Sequence, residues 1–175
     1  PMRQRAGRVP ARVLGAGMEA YYGGRTEMHV VRTPVPVVYT DFTSMYPTVQ
    51  ALARMEEWLT AKSLHAVRCA GHARKTLASV TVETLLEPAR WPELRFFAQI
   101  VPADDVLPLR AQYAPESENF VIGLNRVTSS TPMWYTGFDL AASVLLTGRV
   151  PRILEAVTLR PRGTIDLQAV DLRGQ

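Results

Sequence analysis

Apolar and polar positions follow different periods along the chain, and the changes of period mark its elements. Residues 1–34 hold no sustained period and are rich in turn formers, among them the phrase Tyr21-Tyr22-Gly23-Gly24-Arg25. Residues 35–42, VPVVYTDF, are an apolar, β-branched run of strand length that delivers the acid Asp41 to its carboxyl end. Such a run predicts a buried strand. Met45, Val49, Leu52, Met55 and Leu59 then recur at steps of three and four, with Gln50, Arg54, Glu56 and Glu57 on other faces. That stripe predicts a helix from about Pro47 to Ala61, with Pro47 tolerated in the first turn, where its missing N–H has no partner to lose. A second helix is predicted over about 74–86, closed by Pro88.

From Arg95 the period shortens. Segments 95–101, 119–125 and 131–134 read as strands, with a loop or further strand containing Pro108 between the first two. The acid pair Asp104-Asp105 reads as a loop. Thr136 is placed to cap a helix, with Asp139 three residues on and Gly148 as its stop; 152–159 reads as a last strand. Strand, helices, strands, helix, strand predicts an α+β fold, a mixed sheet with packed helices. The expected organisation is a basic arm and linker over 1–34, a strand and helices over 35–92, and a β-rich segment over 93–175 that joins them in one compact unit.

Composition narrows the class. At 175 residues, 47% hydrophobic and 21% charged, the chain has a core's worth of apolar residues, which argues against disorder and coiled coil. No apolar run approaches the ~20 residues of a spanning helix, so no membrane partner is expected. The first residues lack the apolar core of a secretory signal. One cysteine, Cys69, leaves no intrachain disulfide and fits a reducing, cytoplasmic setting. The net charge is +4, and all of it sits in the first twelve residues as Arg3, Arg5, Arg8 and Arg12. Such an arm suits either a polyanion or a solvated terminus. His65, Cys69 and His72 form H-x3-C-x2-H without an evident fourth ligand, which favours ordinary packing over zinc. No phosphate-binding Gly-rich loop, nucleophile elbow or H-E-x-x-H occurs.

The sharpest chemistry lies in VVYTDFTSMYP, residues 37–47. A carboxylate at the end of an apolar strand costs desolvation unless it meets a cation, and magnesium is the natural hard partner. Two hydroxyls and the N–H groups of a helix start follow, and these favour a phosphate.

Asp41-Phe42-Thr43-Ser44-Met45-Tyr46-Pro47 resembles motif A, D-x-x-S-L-Y-P, of family B DNA polymerases, with Met45 for the commoner Leu. Twenty residues upstream, Tyr21-Tyr22-Gly23-Gly24 resembles that family's Y-x-G-G motif. Order and spacing agree. The resemblance implies a polymerase palm and template-directed nucleotidyl transfer by two-metal catalysis. It implies that Asp41 is one of two aspartates holding two Mg²⁺ ions, with the Phe42 carbonyl a further ligand. Thr43, Ser44 and Met45 would then meet the triphosphate, and Tyr46 would lie under the sugar and exclude a 2′-hydroxyl. Tyr21, Gly23, Gly24 and Arg25 would run along the DNA. The implied partners are a DNA primer-template, a deoxynucleoside triphosphate and, as in the protein-primed subgroup, a priming protein; the setting would be the nucleoid. The stretch from Arg95 to Gly163 is similar to the segment that follows motif A in that family.

The family's fingers motif, K-x-x-x-N-S-x-Y-G, follows neither Lys62 nor Lys75, and no D-x-D of motif C occurs. With a first residue that is Pro and not Met, the sequence is therefore expected to be a piece of a longer enzyme, inactive alone. The alternatives are a non-catalytic DNA- or protein-binding module derived from a palm, and an unrelated α/β domain.

Overall fold

A computed structural model of the chain describes residues 9–24, 30–112, 116 and 120–165. In chain order its elements are α1 (Ala11–Glu19), α2 (Met45–Leu52), α3 (Glu56–Leu59), β1 (Ala61–Arg68), α4 (Ala70–Ala78), α5 (Val82–Leu85), a 3-10 helix (Pro88–Leu94), β2 (Phe97–Ile100), β3 (Ala103–Ala111), β4 (Val121–Thr128), β5 (Met133–Thr136), α6 (Gly137–Thr147) and β6 (Ile153–Thr164). The class is α+β. Four strands form one antiparallel sheet in the order β1-β6-β2-β5, and β3 pairs with β4 in a separate hairpin.

The two-residue period of the strands sorts side chains to the two faces of the sheet. Ala98, Ile100, Tyr135 and Ala156 face one way and meet Ala73 and Leu77 of α4 and Leu140, Ala141 and Val144 of α6. Leu107 of β3 and Val127 of β4 close that core. Phe97, Trp134 and Val157 face the other way and receive Ala16 and Ala20 from α1 and its end. The α6 cap is as expected: the Asp139 N–H donates to the Thr136 hydroxyl at 3.1 Å, and Gly148 ends the helix at φ +69°.

Several expectations are corrected. The run 35–42 forms no strand and pairs with none among the described residues, and every residue from 30 to 51 is exposed. Its β-branched composition favours an extended backbone, but burial needs a neighbouring strand or helix, and the sheet's four positions are filled by β1, β6, β2 and β5. The helix expected over 47–61 starts at Met45 and breaks at Ala53–Met55, where Arg54 is left-handed at φ +50°; α3 resumes for one turn. The polypeptide then turns into β1, which the continuous apolar stripe concealed. The helix expected over 74–86 is two helices, because Thr81 and Thr84 form a reciprocal capping box that starts α5 afresh. Asp104 and Asp105 lie in β3 and not in a loop, at a register shift against β4. Buried Asp105 accepts the Ala103 N–H at 2.8 Å. The first third is not all turns, since it holds α1.

Candidate functional site

The phrase Tyr21–Gly24 leaves the end of α1 and is pinned by side chains from distant strands. Arg110 of β3 donates to the Tyr21 carbonyl at 2.6 Å and lies over the Tyr22 ring at 5.9 Å. Tyr22 stacks on Tyr135 of β5, with centroids 5.5 Å apart and planes 9° from parallel. Burial, then the Glu19 and Asp139 carboxylates, push the Tyr22 hydroxyl above its usual pKa, against opposing contributions from Tyr135 and Arg110. Burial raises Tyr135 further. Both tyrosines are neutral at physiological pH. Gly23 is left-handed at φ +80°, a conformation that glycine adopts without strain. Arg25 lies outside the described residues.

The turn that carries Asp41 is built from its own backbone. The Phe42 N–H donates to Asp41 Oδ1 at 2.9 Å, and the Met45 N–H donates to the Phe42 carbonyl at 3.2 Å. Ser44 is left-handed at φ +56°, which tightens the turn into α2. The Thr43 and Ser44 hydroxyls make no hydrogen bond among the described residues. Asp41 and Phe42 are exposed, contrary to the expectation of an acid at the tip of a buried strand. Tyr46 is 71% exposed, which rules out a core-filling role for it in the described fold.

The two phrases meet. A cleft of about 470 Å³ is lined by Ala20, Tyr21, Tyr22, Gly23 and Gly24 on one side and by Met45, Tyr46 and Asp139 on the other. Asp139 is fixed there by the Thr136 hydroxyl, which donates to its carboxylate at 2.6 Å. Asp41, Phe42, Thr43 and Ser44 are not among the cleft's lining residues; they precede it in the turn that leads into α2. The sequence reading missed Tyr135, Arg110 and, as a lining residue, Asp139. Asp139 carried a signal, as a helix-cap acid, while Tyr135 and Arg110 carried none.

The donor set fits a hard cation in part. Asp41 keeps one carboxylate oxygen without a partner among the described residues, and the Phe42 carbonyl has a second lone pair, and both are oxygen donors of the kind Mg²⁺ takes. Among the described residues, no group of three or more His, Cys, Asp or Glu side chains is placed to hold a metal. His65, Cys69 and His72 fall on β1, at the start of α4 and within α4, and do not form such a group. Cys69 is half-buried, and burial pushes its thiol up to about 11, against a lowering contribution from Arg160.

Among the described residues, no helix is long and apolar enough to cross a membrane. Comparison of the chain with known protein families, with characterised proteins and with solved structures found no match.

Proposed function

We propose that the chain is the sugar- and metal-facing part of the palm of a family B-like DNA polymerase, working in a longer gene product. The observation that supports this reading is the shared cleft: Tyr21–Gly24 and Met45–Tyr46, about twenty residues apart in sequence, line one cavity in the order the resemblance implies. In this reading Asp41 and the Phe42 carbonyl would hold Mg²⁺, which when bound would supply charge neutralisation at the triphosphate. The remaining carboxylates of a two-ion site would come from elsewhere in the gene product. Tyr46 offers its exposed ring as a floor for the sugar, and the Thr43 and Ser44 hydroxyls are open to phosphate oxygens. Gly23 and Gly24 allow a strand of DNA to approach the backbone closely. The run 35–42, which pairs with no strand among the described residues, supports the reading too, since Val37, Val38 and Tyr39 are each more than four-fifths exposed and ask for sheet partners.

Sugar selection tests it. In the gene product that contains this chain, Tyr46→Ala should raise ribonucleotide over deoxyribonucleotide incorporation by at least tenfold, because discrimination is a difference between two transition-state affinities. An unchanged ratio in active, folded variant would remove Tyr46 from the sugar site. A second reading, a non-catalytic DNA- or protein-binding module, is favoured by the absence, among the described residues, of a group of three or more His, Cys, Asp or Glu side chains placed to hold a metal. It predicts binding without incorporation.

A further inference from the structure

We propose that the far half of the β1–β6 pair is a basic ribbon that grips the phosphate backbone of DNA. Strand β2 pairs with β6 from Ile153 to Val157 and no further. Beyond it, Thr158–Thr164 pairs with β1 alone, so that a two-stranded ribbon projects past the sheet. Residues 61–68 and 158–164 hold Lys62, Arg68, Arg160 and Arg162 and no acid. All four of these side chains are exposed, and none makes an ion pair or side-chain hydrogen bond among the described residues. Three carboxylates of the surrounding elements are engaged by other arginines: Glu155 by Arg12 at 2.6 Å, Glu93 by Arg90 at 3.0 Å and Glu57 by Arg95 at 2.8 Å.

The register gives this charge a direction. His65 lies opposite Arg160 and Ser63, whose hydroxyl is 3.2 Å from His65 Nε2, opposite Arg162; these two pairs share one face, and Lys62 and Arg68 lie on the other. Two positions along a strand put the Cα atoms of Arg160 and Arg162 about 7 Å apart. Two forked cations, an imidazole and a hydroxyl on one pleated face are all groups that meet phosphate oxygens. A two-stranded ribbon also has the width the major groove admits. An acidic protein surface would draw on the same cations, but two guanidiniums spaced along one strand match successive phosphates better than scattered carboxylates. The choice of DNA as the polyanion rests on the nucleic-acid reading of the cleft; the ribbon itself does not.

The test uses the whole chain and a 20-base-pair duplex, with the binding constant followed against salt. Each lost phosphate contact lowers the salt slope by about one, so Arg160→Gln/Arg162→Gln should lower it by about two and weaken binding in 0.1 M salt roughly 10- to 100-fold. Arg160→Lys/Arg162→Lys should recover most of the slope. Arg126→Gln/Arg152→Gln, which removes equal charge away from the ribbon, should leave it unchanged. An unaltered slope in the folded Gln variant, equal losses in both Gln variants, or no salt-dependent binding by the wild-type chain would each overturn the proposal. Asp41→Asn separates the two readings. In the gene product that contains this chain, incorporation that survives Asp41→Asn, with the slope still lost in the ribbon variant, removes Asp41 from the proposed metal site and keeps the ribbon. Incorporation abolished by Asp41→Asn, with the slope intact in the ribbon variant, does the reverse.

Discussion

Tyr46 and Cys69 are both residues whose behaviour follows from their surroundings. The exposure of Tyr46 means that its truncation leaves no core cavity, so Tyr46→Ala should change unfolding free energy by no more than about 0.5 kcal/mol, the usual range for surface positions. A cost of several kcal/mol in a denaturant melt would mean that the ring packs against something. Cys69 is the opposite case. Its thiol ionises near 11 in the fold and near 9 when the chain is unfolded, so the folded state binds the extra proton between those values. Stability from this group is therefore complete below about pH 9 and is lost as pH rises towards 11. At pH 7.5 a thiolate a hundredfold scarcer but more nucleophilic should react with iodoacetamide about tenfold more slowly than the unfolded thiol. Equal rates would show that burial does not hold the proton. At this scale the sequence was informative about Tyr21–Gly24 and Asp41–Tyr46, whose residue types and order are local. It was silent on Tyr135 and Arg110, which complete the cleft from strands far along the chain and carry no local pattern.

Elements in this fold are held by a few contacts that cross between them. Arg95 ties the α2–α3 region to the sheet: it donates to Glu57 at 2.8 Å and to the Arg54 carbonyl at 2.9 Å, and lies over the Trp58 ring at 5.6 Å. Arg95→Ala should cost about 1–3 kcal/mol, the value of hydrogen bonds to a largely buried charge, read as a lower midpoint in urea. A midpoint within error of wild type would mean that α2 and α3 are held by other contacts. Gly137 opens α6 where the chain passes under the 3-10 helix. A Cβ there would collide with the Leu94 carbonyl and sit 2.9 Å from the Phe96 ring. Gly137→Ala should therefore destabilise by about 1–3 kcal/mol despite alanine's better helix propensity, and a stabilised variant would contradict the packing. Strands β2, β4, β5 and β6 and helix α6 were legible because their periods are clean and the helix cap is explicit, whereas β3 was left open between loop and strand. Helix α1 was hidden by the small residues Ala11, Gly15, Ala16 and Gly17, which blur the apolar period. Strand β1 was hidden because Leu59 prolongs a helical stripe into a segment that tertiary pairing with β6 claims.

For the whole molecule, the informative contrast is between a well-packed body and an uncovered strip. The sheet, α4, α6 and the β3–β4 hairpin share one core, while residues 30–51 lie exposed along it with Val37, Val38, Tyr39 and Phe42 at 80% exposure or more. An apolar run of this composition predicts a buried strand, and the described chain supplies no partner for it. The Asp41–Pro47 phrase is therefore carried on a surface that asks to be covered; in the proposed reading, the rest of the palm sheet would cover it. The most direct measurement of the polymerase reading is primer extension by the gene product that contains this chain, wild type against Asp41→Asn. The substitution keeps shape and removes charge, so incorporation should fall to background while duplex affinity and its salt slope hold. Near-normal extension by Asp41→Asn, or no extension by the wild type, would contradict it.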